Sequence, residues 1–481
     1  MNHQIRRIAG LLTAVMLLLI GNLSLTQVFQ ADELRLHQDN TRLLLEEYGR
    51  ERGSILVGDK PVARSVKTGG TLAYERQYVD GEMYAPATGF YSLVYGATGL
   101  ERIYNALLSG RDDRLAVDRL QQLLAGREAR GGVVTLTLNA KMQKVAFNAM
   151  AGRAGSVVAL DPATGEILTL VSTPSYDPTT LSINQPASVR KAYEALLADP
   201  KEPMMNRPLT KTLPPGSTFK LVVAAAALAS GKYSADTLIP GPATIKLPNS
   251  TKRLGNWQGT ACSPSGKVTL RRALEVSCNT AFAWLGMQLG ADAISAQAEK
   301  FGFNQSFTTP LVSASSVFPA GLDDAQTAMS SIGQFDVRAT TLQMAMVTSA
   351  ITNNGVLMKP FLVKDIRTSE LGLLESTSPI NLGQAQDPAQ SKALLDMMRS
   401  VVTDGTASSG LVKGVLVGAK TGTAETGTTA LPHAWFVATA TYQGRSIVVA
   451  VVVENGGGET EVSGNRIAGP IAAKVIKAAF L

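Results

Sequence analysis

The sequence predicts an α+β body, with one antiparallel sheet assembled from both ends of a long C-terminal segment and covered by helices. A smaller domain and a single membrane-crossing helix precede it. Three observations predict this. Apolar strand patterns stand at 155–172 and again at 414–453, with helical text between them. An apolar run follows two arginines near the N-terminus. The 481 residues are too many for one ordinary core.

The elements follow in order. Arg6 and Arg7 precede the apolar run from Ile8 to Phe29, long enough to span a bilayer as a helix. A cleaved signal peptide would end on small residues, and bulky Phe29 stands two positions before Ala31. The run therefore reads as an uncleaved anchor filling residues 1–30. The basic pair ahead of it places the N-terminus in the cytoplasm and everything after it outside the membrane. From Ala31 to Tyr48 a polar helical pattern with Leu34, Leu36, Leu43, Leu44 and Leu45 reads as a stalk. Short strand-like runs rich in Gly and Tyr continue to Gly132, so residues 31–132 form a non-catalytic domain.

At residue 133 the pattern changes, and 133–481 reads as one further domain. Val133–Leu138 alternates as a strand, and Asn139-Ala140 opens a helix through Met150. Gly155–Leu160 and Glu166–Ser172 are strands joined by the turn Asp161-Pro-Ala-Thr-Gly165. Leu221–Ala229 and Leu342–Thr352 are helical. Gly414–Ala419, Ala434–Tyr442 and Arg445–Val453 are strands, the last two linked through Gln443-Gly444, and Ala468–Phe480 is a terminal helix. No internal repeat or low-complexity tract interrupts this order.

Composition narrows the function. With 45% hydrophobic and 17% charged residues the chain is globular rather than disordered. The 45 basic and 38 acidic residues leave a modest +7, and no basic helix or aromatic-interleaved stripe points to nucleic acid. Three histidines, of which His3 and His37 lie in the tail and stalk, argue against a Ser-His-Asp triad. His433 reads as structural or as a cleft wall. Two cysteines without clustered histidines argue against a catalytic zinc site, and no cofactor is expected. Outside the membrane, Cys262 and Cys278 either pair or stay as two buried thiols. Trp257, Trp284 and Trp435 read as core or cleft lining.

Three short motifs carry chemistry. The first is Ser217-Thr-Phe-Lys220, entered through Pro214-Pro-Gly216 and followed by an apolar helical run. Ser217 then sits at a helix N-terminus, where free N–H groups favour negative charge on oxygen. Lys220 lies one turn on, on the same face. A serine needs an adjacent base, and a lysine serves when burial and a nearby cation lower its pKa. The second motif is Ser277-Cys278-Asn279, in which Ser277 relays a proton and Asn279 orients a substrate amide. The third is Lys420-Thr421-Gly422-Thr423, following a strand. Lys420 supplies a second cation, Thr421 and Thr423 bind a substrate carboxylate, and Gly422 lets substrate lie along the strand edge. Glu425 reads as a brace for that strand.

Each motif alone is weak, since S-x-x-K arises about once or twice by chance in such a chain. Ser188-Val-Arg-Lys191, Lys67-Thr-Gly69 and Ser182-Ile-Asn184 are second occurrences. They lack the order, the Pro-Gly entry and the flanking strand.

The set S-x-x-K, S-x-N and K-T-G is shared by penicillin-binding proteins and serine β-lactamases. The strings PPGSTFK, KTGTAE, ALDPATGEIL (159–168) and HAWFVA (433–438) resemble the class B penicillin-binding proteins, over about residues 133–481. Upstream, Arg52-Gly-Ser-Ile55 and Gly99-Leu-Glu101 resemble the signatures of their non-catalytic domain. The short N-terminal region is most similar to the actinobacterial penicillin-binding protein A group. The resemblance implies a penicillin-binding transpeptidase fold, like that of serine β-lactamases, and a D,D-transpeptidase that cross-links stem peptides through an acyl-enzyme on Ser217. It implies peptidoglycan and its lipid-linked precursor as substrate, β-lactams as covalent inhibitors, and a glycosyltransferase and divisome or elongation proteins as partners. Cys278 replaces the family's usual Asp; in the family fold that position faces away from the chemistry, which leaves it free to pair with Cys262.

Rival readings lack their sequence features. A β-lactamase wants a Glu-x-x-x-Asn pattern between the second and third motifs. A D,D-carboxypeptidase wants a C-terminal amphipathic anchor. A β-lactam sensor wants several spans and a cytoplasmic domain. An inactive scaffold has no need of every catalytic residue type.

Overall fold

The computed structural model describes residues 2–25 and 48–481, apart from 71, 127, 129 and 428. The expected stalk, except for Tyr48, lies outside the described residues, as does the end of the apolar run beyond Leu25.

Helix α1 (Asn2–Ser24) is the N-terminal apolar element. It is long and apolar enough to cross a membrane, and none of it is buried against the rest of the chain. Past Arg7 it is predominantly apolar and exposed, which is consistent with a membrane anchor.

Eleven strands matter for the site. They are β1 (Ile55–Val57), β2 (Lys60–Lys67), β3 (Tyr74–Tyr78), β4 (Val133–Leu136), β5 (Gly155–Leu160), β6 (Ile167–Thr173), β7 (Val363–Arg367), β8 (Leu373–Ser376), β9 (Leu416–Ala424), β10 (His433–Tyr442) and β11 (Arg445–Val453). The first sheet has the order β8-β7-β4-β1-β2-β3, and the second β9-β10-β11-β5-β6. The second is antiparallel throughout and joins both ends of its segment, because β11 pairs with β5. This is the α+β sheet expected from the strand patterns.

The run opening at residue 133 goes elsewhere. Strand β4 pairs parallel to β1 and antiparallel to β7, so it belongs to the first sheet. All four of its residues are buried, and a fully buried strand gives no facial alternation to tell one sheet from another.

Helices α2 (Ala140–Met150) and α7 (Gly469–Phe480) pack together on the second sheet. Between them in sequence come α3 (Lys220–Ala229), α4 (Asn279–Leu289), α5 (Thr341–Thr352) and α6 (Pro388–Thr403). Helices α5 and α6 cover the other face, and α3 lies behind them against α4 and α6. Nine of the ten α3 residues are buried, so this helix is apolar all round apart from its first residue, Lys220.

In the smaller domain the two sequence signatures meet. Glu101, fully buried, accepts from Arg52 Nε and Arg76 Nε, each at 2.7 Å. Tyr78 donates to the same carboxylate at 3.2 Å, and Arg52 stacks 4.0 Å over the Tyr91 ring. Burial alone would raise the Glu101 carboxyl, but the two guanidiniums and their hydrogen bonds hold it below its ordinary value.

Candidate active site

The approach to Ser217 is fixed from both sides. Leu213 pairs with Ala339, and the Pro214 carbonyl accepts from the indole Nε1 of buried Trp435 at 2.9 Å. Gly216 then turns with φ +54°, and its N–H reaches the Gly333 carbonyl at 2.9 Å. A Cβ on Gly216 would stand 2.9 Å from the Thr423 carbonyl oxygen, so both the turn and the close approach call for glycine. Residues Gly216–Phe219 form a 3₁₀ turn that runs straight into α3. Ser217 is thereby held half-buried at the N-terminal end of an apolar helix, with Lys220 one turn along and fully buried.

The second motif sits at another helix start. Ser277 has φ +56° and Cys278 caps α4, whose first residue is Asn279. Lys220 Nζ donates to the Ser277 carbonyl and to Asn279 Oδ1, both at 2.7 Å, and lies 3.3 Å from Ser277 Oγ. Lys420 Nζ reaches the same hydroxyl from the other side at 2.9 Å and donates to the Thr421 carbonyl at 3.0 Å. Burial, and then the charge of Lys420, hold Lys220 well below the ordinary lysine value. Burial brings Lys420 down to about 7. A neutral Lys220 has two N–H bonds and one lone pair. The two oxygens at 2.7 Å can only accept, so they take the N–H bonds and leave the lone pair for a hydroxyl proton.

The third motif lies inside a strand. β9 runs through Lys420-Thr-Gly-Thr-Ala424 rather than ending at Ala419, and it is an edge strand of its sheet. Thr421 and Thr423 alternate to one side of the strand and line the same cleft as Ser217. A Cβ on Gly422 would meet the Pro215 carbonyl at 2.9 Å and side chains of Thr218 and Trp435 at 3.0 Å, so this residue sets how closely the strand approaches the turn that carries Ser217. The three motifs converge on a cleft of about 750 Å³ lined by Ser217, Ser277, Asn279, Thr421 and Thr423.

The chain matches the penicillin-binding protein transpeptidase domain over residues 155–477 and the penicillin-binding protein A dimerisation domain over 52–134. This chain belongs to the penicillin-binding protein family. It is 42% identical to the peptidoglycan D,D-transpeptidase PbpA of Mycolicibacterium smegmatis, across 100% of this chain and 99% of that one. The PbpA of Mycobacterium tuberculosis is likewise 42% identical over the same shares. The structure of penicillin-binding protein A from M. tuberculosis as a ceftriaxone acyl-enzyme complex superposes with a TM-score of 0.88 at 40% identity, covering 91% of this chain and 100% of that one.

In this penicillin-binding protein Cys262 and Cys278 are joined in a disulfide, with Cα atoms 5.9 Å apart. The bridge ties the middle of the second motif to the loop that carries Trp257. That tryptophan is 81% exposed and lines the cleft. Trp435 is core, and Trp284 packs half-buried against it. His433 is buried, and its Nδ1 accepts the Asn455 N–H at 3.1 Å, the structural role of the two considered.

The duplicate motifs lie apart from the cleft. Ser188 and Lys191 are exposed on the helix Pro186–Ala198, and Lys67-Thr-Gly69 ends the exposed side of β2. Two contributors gave no sequence signal. Thr406 Oγ1 lies 3.0 Å from Thr421 Oγ1, and Asn256 Oδ1 accepts the Thr280 N–H at 3.0 Å, holding the Trp257 loop on α4. Arg76 and Tyr78 likewise gave no sequence signal, since nothing local ties them to Glu101.

Proposed function

We propose that this penicillin-binding protein cross-links peptidoglycan stem peptides, the activity for which its relatives PbpA are named. Ser217 attacks the carbonyl between two terminal D-alanines, and Lys220 takes its proton. The carbonyl oxygen is stabilised by the N–H groups of Ser217 and Thr423, a reading supported by the contact of the Gly216 and Thr423 backbones. Losing one such donor costs about 2.7–4 kcal/mol of barrier. Ser277, between the two lysines, passes a proton to the departing D-alanine. Asn279 orients the substrate amide. Lys420 fixes the field, and Thr421 and Thr423 bind the terminal carboxylate. An amine of a second stem then displaces Ser217 and closes the cross-link. A β-lactam enters as the donor does and stays on the serine. The observation that carries the reading is the Lys220–Ser277–Lys420 array, in which two buried lysines reach one serine hydroxyl, Lys220 at 3.3 Å and Lys420 at 2.9 Å.

The same reading assigns residues 1–30 to the anchor, 31–132 to a non-catalytic domain and 133–481 to the catalytic domain. The N-terminus is cytoplasmic and the catalytic domain extracellular, supported by the basic pair ahead of α1. The partners are a glycosyltransferase and proteins of division or elongation. The test is uptake of fluorescent penicillin by the full chain and by Ser217→Ala, followed for hours on a denaturing gel. The expected result is persistent label on the wild type alone. Label on Ser217→Ala would sink the assignment of the nucleophile, and label that decays within minutes would indicate hydrolysis instead of transfer.

A further inference from the structure

The helix Ala116–Leu124 in the smaller domain is turned inside out. Its only buried residue is Gln122. Gln122 Nε2 donates to Ser369 Oγ at 2.8 Å and to Asp118 Oδ2 at 2.7 Å. Arg119 Nη1 donates to the carbonyls of Gly110 and Asp112, both at 2.9 Å. The polar side is thus the side that holds the helix to the protein. Val117, Leu120 and Leu124 fall within about 60° of one another on the opposite side, at about 100° per residue. With flanking Leu123 they are 55–80% exposed. The turn at Ser369 adds exposed Leu371 and Leu373. A surface helix ordinarily shows the reverse arrangement, and an apolar face turned outward calls for an apolar partner.

We propose that this helix lies in the surface of the bilayer that holds α1, with Val117, Leu120 and Leu124 among the lipid chains, and gives the smaller domain a second hold on the membrane. The proposal rests on reading α1 as an anchor. Three observations select a bilayer as the occupant. The connection from Leu25 to Tyr48 reaches about 80 Å at most, at about 3.3–3.6 Å per residue. It keeps the domain within that distance of the membrane and makes the contact effectively intramolecular. The chain also arrives from the anchor beside this helix. The Glu51 carbonyl accepts from the Gly131 N–H at 3.0 Å, and its carboxylate pairs with Arg130 Nε at 3.3 Å. The Arg130 N–H in turn donates to Gln122 Oε1 at 2.9 Å. Finally, the face is too small for a second copy. Its 9 residues make about 13 Å of helix, whereas a stable dimer buries about 800 Å² per partner. A bilayer needs no matching shape, and a helix with one apolar face settles about 5–10 Å into the boundary of headgroups and lipid chains. The cations beside the face are engaged, Arg119 by backbone carbonyls and Arg130 by Glu51, so neutral lipid suffices.

The test uses the full chain in phosphatidylcholine nanodiscs, one copy per disc. Its only two cysteines are bridged, so a single introduced cysteine takes a bimane label. Leu124→Cys is expected to be quenched by lipids carrying a nitroxide near the headgroup, and shielded from iodide in the water. Lys232→Cys, exposed in the catalytic domain, is expected to show the opposite. Adding Val117→Asp and Leu120→Asp to Leu124→Cys is expected to abolish the lipid quenching and admit iodide, with an unchanged melting midpoint showing that the fold survives. Iodide quenching of Leu124→Cys equal to that of Lys232→Cys would overturn the proposal. So would shielding from iodide without lipid quenching, which would mean that protein covers the face, or shielding seen only with two copies per disc, which would mean a second chain. Leu18→Cys tests the anchor separately. If lipid nitroxides fail to quench it, the anchor reading falls and this inference with it.

Discussion

The hydroxyl of Ser277 stands between two buried lysines, 2.9 Å from Lys420 and 3.3 Å from Lys220. In the proposed mechanism the two have opposite tasks, Lys220 as a free base and Lys420 as a cation. Both are pulled down by burial, and Lys220 also by the charge of Lys420. Acylation by penicillin should therefore rise with pH as Lys220 loses its proton and fall as Lys420 loses its own near pH 7. Stopped-flow acylation rates across pH 4–10 would show a bell; a rate still climbing well above pH 8 would contradict the assignment of the cation. At this scale the sequence was most legible. Ser217, Lys220, Ser277, Asn279 and Lys420 stand in short strings whose order and flanking text mark them. Thr406 and Asn256 were not legible, because each acts through one long-range contact and leaves no local pattern.

Elements carry the next layer of meaning. The knot of Arg52, Arg76 and Glu101 ties β3 and the segment ahead of β1 to the short helix Gly99–Ile103. Glu101→Ala would leave two guanidiniums buried without their carboxylate, a loss of about 3–5 kcal/mol. Chemical denaturation of the two proteins checks it, and a difference under about 1 kcal/mol would show that the triad is dispensable. The sign with pH follows from the depressed carboxyl. Its stabilisation is complete above the unfolded value, about 4.3, and is lost as pH falls through the lower folded value. Secondary structure was largely legible: the strands at 155, 167 and 445 and the helix at 140 begin within a residue of where the patterns placed them. The partner of Val133–Leu136 was not. A strand buried on both faces fits any sheet, and only the long-range pairing with Ile55 and Val363 decides.

At the scale of the whole molecule, the Cys262–Cys278 bridge closes a span of 16 residues across the cleft wall. A loop of that size contributes about 3 kcal/mol by restricting the unfolded chain. Melting with and without reductant should show that loss, together with freer motion of exposed Trp257 by fluorescence anisotropy. An unchanged melting midpoint would mean that the bridge is ornamental. The pairing was open in the sequence because spacing alone cannot bring two thiols together; the fold does so by placing the Trp257 loop on α4.

The sheet that closes on itself through β5 and β11 also orders events in time. Ser217 and Lys220 are synthesised long before Lys420, which lies 203 positions after the serine. At about 5–20 residues per second, the ribosome needs roughly 10–40 s to cover that distance. Throughout that interval Ser217 has neither Lys420 nor the strand that walls its cleft. On the proposed mechanism a nascent chain is therefore inert toward both stem peptides and antibiotics. On that mechanism the serine is armed only when the strands from Leu416 to Val453 dock.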